Sequence, residues 1–403
     1  MTVLVADLDP VKQPVTAITD STSELQAGHT AGSSQLDQGA EAACSKVAAG
    51  TGKQEINPWI LNPAIDLLFS CGGIVWLFFG LHFFVFGNHS RDLGVQALVM
   101  LVIVGTHMLS ETHNVATLHR IFQKEEKARF KFHTEKLALV CGFLAIAGLL
   151  VPSAVSVFTK IYLIWVSQHF TAQSYGLALL YCYKRNYTLS SFEKNIFSML
   201  MQATCLFAIV RQFTFYDWGG GKFIGIDIPF WGPLPEPVFV AVSYVLAGLA
   251  ALFTLIVCKK AVFEKKVFPL PASLLTATGI LIWIFGKEVT GTLWLYVPAF
   301  YHGSQYLVTS TAYYLKDKGL PDGLPTVQIA KALTKPLALK YFASLVLVGT
   351  FMYIGIPHVL EQMGVSFDLA FASIFCCVNF HHFLTDAAIW KLRDKRTRDI
   401  LMA

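Results

Sequence analysis

An apolar, helix-length stretch from Cys376 to Lys391 carries two adjacent histidines, His381 and His382, and a carboxylate, Asp386. On a helix His382 and Asp386 stand one turn apart on the same face, while His381 points about 100° away. Three further apolar stretches carry groups of the same kind: His107 with Glu111 and His113, His169 with Gln173, and His302 with Gln305. Such side chains are expensive in hydrocarbon and need partners inside the protein. Neutral imidazole is the commonest transition-metal ligand, and mixed histidine and carboxylate sets suit iron, manganese or zinc. Helix bundles build such centres by drawing one or two inward ligands from each of several helices. The candidate ligand set is therefore His107, Glu111, His113, His169, His302, His381, His382 and Asp386. Gln173, Tyr175, Gln305 and Asn379 are the groups expected to orient the rings from behind. Any one of these histidines is equally well explained by a hydrogen bond between helices, worth about 0.6 kcal/mol on average; the set as a whole argues for a shared site.

The elements that must position these groups are membrane spans. Of 403 residues, 54% are hydrophobic and only 14% charged, with a mean hydropathy of +0.54. A soluble two-domain protein needs roughly a quarter of its residues charged. With about twenty apolar residues per crossing, the chain reads as an all-α, polytopic helical bundle of ten spans. They fall near 59–87, 93–121, 134–156, 157–184, 192–215, 236–258, 267–286, 290–316, 336–357 and 366–392. Pro152 and Lys160 are the only punctuation between the third and fourth. Residues 1–57, rich in Ala, Ser, Gly, Gln and Thr, read as a disordered tail without a cleavable signal. Residues 58–393 form the membrane domain, and 394–403 a short basic tail.

Short cytoplasmic loops carry excess Lys and Arg. Clusters follow every even-numbered span: Lys124 to Lys131, Lys184 and Arg185, Lys259 to Lys266, Lys316 and Lys318, and Lys391 to Arg398. The opposite loops hold single cations, Arg91, Lys160, Lys222 and Lys287. Both termini are thus expected in the cytoplasm, in a bacterial inner or other energy-transducing membrane. His107, His169 and His302 each lie roughly 20 Å from the inner cations, with His113 and His382 nearer the inner side. Two connections are unusual. The segment from Asp217 to Pro237, rich in Gly, Pro and aromatics, is an interfacial loop or a lid, and Val327 to Leu339 is an amphipathic stretch. The eight cysteines are scattered with no paired spacing, as small core residues.

This ligand set resembles, in type, the histidine-rich integral-membrane non-haem iron enzymes. They include membrane fatty-acid desaturases and hydroxylases, and bacterial membrane carotenoid-cleaving dioxygenases whose iron ligands come from several spans. Desaturases carry HxxxH and HxxHH boxes. Here Asn379-Phe380-His381-His382 lacks the first histidine, and His107 to Glu111 has Glu in place of one His, so the scattered-ligand type is the nearer one. The resemblance implies non-haem iron, mononuclear or dinuclear, acting oxidatively on a lipid-soluble substrate, with an external electron donor or partner subunits. Copper, manganese, zinc or haem would also be served by these residues. The competing readings are a haem-binding electron carrier, a proton-coupled transporter and a structural subunit of a membrane complex. No Walker loop, dinucleotide fingerprint or serine-hydrolase elbow is present, and the cations sit at span ends, where topology explains them without nucleic acid.

Overall fold

The computed structural model describes residues 57–86, 93–285 and 293–403. The expected N-terminal tail therefore lies outside the described residues, apart from Asn57. The rest is almost wholly helical. Its main helices are α1 (Pro63–Ser70), α2 (Gly73–Gly80), α3 (Leu93–Thr106), α4 (Thr112–Ile121), α5 (Ala138–Leu150), α6 (Pro152–Lys184) and α7 (Ser191–Thr214), followed by α8 (Glu236–Phe263), α9 (Leu270–Ile284), α10 (Leu293–Lys318), α11 (Pro336–Thr350), α12 (Phe367–Ile389) and α13 (Lys395–Met402). Among the described residues, five helical stretches are long and apolar enough to cross a membrane: Phe132–Leu150, Ser191–Thr214, Glu236–Phe263, Pro336–Gln362 and Phe367–Ile389. The pair α1 and α2, bent by 60°, makes a sixth if it is counted as one span. These lengths and compositions fit a membrane protein. The helices α4, α6 and α10 are not among the five, and each buries polar groups along its length.

Local sequence explains the helix ends. Ser190 caps α7 in a reciprocal capping box with Glu193, Ser366 caps α12, and Asp394 caps α13. Pro152 and Pro336 open α6 and α11 at the first helical position, where a missing N–H is harmless. This moves the expected boundary between the third and fourth spans. The break falls at Val151, and Lys160, expected in a connecting loop, lies inside the 33-residue α6. It is fully buried there, its Nζ donating to the Gly219 carbonyl at 2.7 Å. Gly72 makes the bend between α1 and α2: its φ of +86° suits glycine, and a Cβ would come within 2.6 Å of Thr278.

The segment after α7 forms a small hairpin, β1 (Gly221–Phe223) antiparallel to β2 (Ile226–Ile228), with Phe223 paired to Ile226. Phe223 packs near Tyr162 of α6 and Phe375 of α12. From there an aromatic column runs inward, Tyr162 stacking on Phe383 at 6.0 Å and Phe383 lying 4.3 Å from the His169 ring. The stretch Thr326–Thr334 is a short 3-10 helix that buries Ile329 and Ala332 while Lys331 stays exposed, as an amphipathic segment should.

Two close approaches set the middle of the bundle. Between α3 and α4 the chain widens into a π-helical turn, His107–Glu111. Gly303 of α10 lies against that turn so tightly that a Cβ would fall 2.5 Å from Ser110 Cα and 2.6 Å from the Leu109 carbonyl oxygen. Hydrogen bonds from Gln173 of α6 to the His302 carbonyl and Gln305, at 2.9 Å each, and from Gln305 to the Ser70 carbonyl, at 3.0 Å, tie three helices together.

Candidate metal centre

Four helices each send one imidazole into the same place: His113 from α4, His169 from α6, His302 from α10 and His382 from α12. The four are at most 2% exposed. They meet through the same atom of every ring. His302 Nε2 lies 3.2 Å from His113 Nε2, His113 Nε2 lies 3.0 Å from His382 Nε2, and His382 Nε2 lies 3.1 Å from His169 Nε2. The His169 and His302 rings, 4.7 Å apart between centroids, close the circle. Asp386 Oδ2 stands 3.4 Å from His382 Nε2 and 3.9 Å from His169 Nε2. Thus His382 belongs to two groups of potential ligands, one with His113 and His302, the other with His169 and Asp386.

Proton accounting shows what these contacts require. His113 Nδ1 faces the Ser110 carbonyl oxygen, which can only accept, so Nδ1 carries the proton and Nε2 is a lone pair. The Thr117 hydroxyl lies 3.0 Å from Asp386 Oδ1, 2.8 Å from His382 Nδ1 and 2.5 Å from the Tyr306 hydroxyl, so its single proton has three neighbours and it holds His382 Nδ1 in either tautomer. The His113 Nε2 lone pair, 3.0 Å from His382 Nε2, is met either by a proton on that nitrogen or by a cation between the two. With metal–nitrogen bonds of about 2.1 Å, the separations of His113 from His302 and from His382 subtend roughly 90 to 100° at a shared ion; His169 belongs to the second group, with His382 and Asp386. These buried His and Asp groups can hold a metal ion.

The support behind the rings is also built. Tyr306 donates to Asp386 Oδ1 at 3.0 Å and accepts from Trp390 Nε1, also at 3.0 Å. Thr117, Tyr306 and Asp386 therefore form one network that holds the His382 ring in place. Phe170 stacks on His302 with centroids 4.1 Å apart and planes 17° from parallel, and Phe383 covers His169. Aromatic carbon walls the ligands off from water.

The expected ligands divide into two groups. His113, His169, His302, His382 and Asp386 come together. His107 and Glu111 bond to each other one turn away, on the outer side of the π-helical turn. His381, pointing away from His382 as adjacent helix residues must, bonds the His133 carbonyl at 2.9 Å. Among the groups expected behind the rings, Gln173 and Gln305 tie helices through the bonds described above. Tyr175 packs on Phe197, and Asn379 joins the Phe375 carbonyl to Asn114. Thr117, Tyr306 and Trp390 were not anticipated. A recurring spacing could have found the first two: each of the four histidines is followed four residues later by a polar group, Thr117, Gln173, Tyr306 or Asp386. No family model, curated protein or solved structure matches the chain, and the chemistry of the site is read from its geometry.

Proposed function

We propose that the protein is an integral-membrane oxidoreductase that holds one non-haem iron at His113, His302 and His382, with His169 and Asp386 beside it. Its substrate is lipid-soluble, such as a fatty acyl chain, isoprenoid, quinone or carotenoid. The observation that carries this reading is the convergence of Nε2 atoms in a buried, aromatic-walled site, with the His113 proton committed to the Ser110 carbonyl. A single ion is favoured over two because His382 is common to both groups and only one carboxylate is in reach, whereas dinuclear bundle centres use several. Iron is favoured over zinc because angles of roughly 90 to 100° leave positions open, whereas structural zinc is tetrahedral and closed. Haem is poorly served, since rings 4.5 to 4.9 Å apart occupy the room a macrocycle would need.

When bound, iron would supply activation of dioxygen at its open positions. The chain's own residues do the rest. Ser110 keeps His113 in the ligating tautomer, Thr117 holds the His382 ring, Phe170 and Phe383 exclude water, and Asp386 is positioned to hold a proton at Oδ2 beside the centre. The proposed topology is ten spans with both termini cytoplasmic, in a bacterial inner or other energy-transducing membrane, supported by the alternation of basic loops. Reducing equivalents then come from a partner protein or quinol at the basic face. The test is element-resolved metal analysis with a visible spectrum on the purified full-length protein and on a His169→Ala, His302→Ala double variant. About one iron per chain, lost in the variant, with oxygen uptake driven by a lipid-soluble polyene or acyl substrate, is the expected result. A Soret band, or no metal in either protein, would overturn it.

A further inference from the structure

Two titratable side chains inside the bundle take no part in the four-nitrogen centre. His107 Nδ1 is bonded to Glu111, and His107 Nε2 lies 3.2 Å from Thr350 Oγ1. These side chains are 23% and 14% exposed, unlike the sealed ligands. The helical segments that carry the pair and its partner Thr350 expose apolar side chains nearby in sequence: Met100, Leu101 and Val104 on α3, and Leu347, Val348 and Phe351 around Thr350. In the membrane reading those side chains face lipid, so an imidazole–carboxylate pair reaches the hydrocarbon side. Ionisable groups at such a depth cost a few kcal/mol and mark functional sites by default. Fastening α3 to α11 does not account for it, because a Ser or Thr opposite Thr350 would serve.

The pair also shares its π-helical turn with the centre. The turn that holds His107 and Glu111 is the one whose Ser110 carbonyl fixes His113. His107 and His113 are six residues apart. We propose that His107 and Glu111 form a polar subsite at a lateral entrance from the lipid, which takes the neutral hydroxyl end of an amphiphilic substrate. The pair offers the acceptors such an end requires. Glu111 accepts from a hydroxyl, and so does the His107 nitrogen now facing Thr350, a lone pair while Nδ1 donates to Glu111. A fatty-acid carboxylate would meet Glu111 and is disfavoured, and a plain hydrocarbon gains nothing. Binding of the polar end stands independently of the iron reading. The reaction at the centre, further along the same substrate chain, rests on it.

The experiment is photolabelling of the full-length protein in lipid nanodiscs with a diazirine-bearing long-chain primary alcohol, set against the matching diazirine hydrocarbon and carboxylate. The alcohol is expected to label peptides covering residues 100–111 and 347–351 at least fivefold more than either control. That excess should vanish in a His107→Leu, Glu111→Leu double variant that keeps wild-type metal content. Excess unlabelled alcohol must suppress wild-type labelling and excess hydrocarbon must not, a comparison that needs no variant. Equal labelling by alcohol and hydrocarbon, no suppression by the alcohol, or labelling unchanged in a folded double variant overturns the subsite. Metal measured in the same samples separates the two proposals: labelling as expected on a metal-free wild type removes the oxidoreductase reading and leaves the subsite.

Discussion

Replacing Thr117 by valine removes one hydroxyl and keeps the volume and branching of the side chain. In the wild type that oxygen lies 2.8 Å from His382 Nδ1, 2.5 Å from the Tyr306 hydroxyl and 3.0 Å from Asp386 Oδ1. Thr117→Val leaves His382 Nδ1 buried without that partner, a penalty of about 1–3 kcal/mol. It also frees the ring to turn. Losing a group of this kind weakens metal binding by about 10–100-fold. Tenfold corresponds to about 1.4 kcal/mol, so the two estimates agree. The assay is chelator competition on purified full-length protein, with bound metal read by element analysis. Thr309→Val is the control, since Thr309 is equally buried but bonds only its own helix, at the Gln305 carbonyl. Affinity within about twofold of wild type for Thr117→Val, or an equal loss in Thr309→Val, would refute the role given to the Thr117 network.

Neighbouring histidines should behave oppositely: His382→Ala abolishes metal binding, while His381→Ala retains metal and only lowers Tm, by the loss of a bond worth about 1 kcal/mol; metal loss in both would contradict the assignment. Gly303→Ala forces a methyl onto the Leu109–Ser110 backbone. An overpacking penalty of about 1–3 kcal/mol should appear in Tm together with reduced metal content, because His302 and His113 meet across that contact; wild-type values for both would exclude the close approach. At the basic end, burial pushes the Asp394 carboxyl up, but the Thr397 backbone N–H and the Arg129 guanidinium outweigh it and hold the group below its ordinary value of 3.8. A depressed value means that its cap on α13 is complete above about pH 4 and is lost as pH falls through the folded-state value. Amide exchange over Lys395–Met402, corrected for intrinsic rates, should accelerate between pH 5 and pH 3 by about tenfold; unchanged protection would show that Asp394 does not hold the helix.

Helices were readable where a cap and an apolar run coincide. The expected stretches 192–215 and 366–392 correspond to Ser191–Thr214 and Phe367–Ile389, each opened by a serine cap. The choice of ligands was readable only in part. Counting residues back from Arg120 assumes a regular helix and puts His107, not His113, at the depth of His169 and His302. The π-helical turn breaks that assumption and carries His107 and Glu111 to the outer side. His381 and His382 could not both face one centre, since neighbours on a helix diverge by about 100°, but sequence alone does not say which one turns inward. Thr117 and Tyr306 escaped notice because uncharged hydroxyls in apolar helices are ordinary. Only their place four residues after a histidine distinguishes them. Lys160 read as a loop cation because a lone lysine within an apolar run is expensive; the Gly219 carbonyl above it satisfies the ammonium within the fold.

Iron-edge X-ray absorption on the full-length protein, purified without added metal, tests the central claim most directly. The account predicts about one iron per chain with the imidazole nitrogens of His113, His302 and His382 at about 2.1 Å, and that signal lost in His382→Ala. A protein free of metal, or an iron held by a porphyrin or mainly by oxygen, would contradict it.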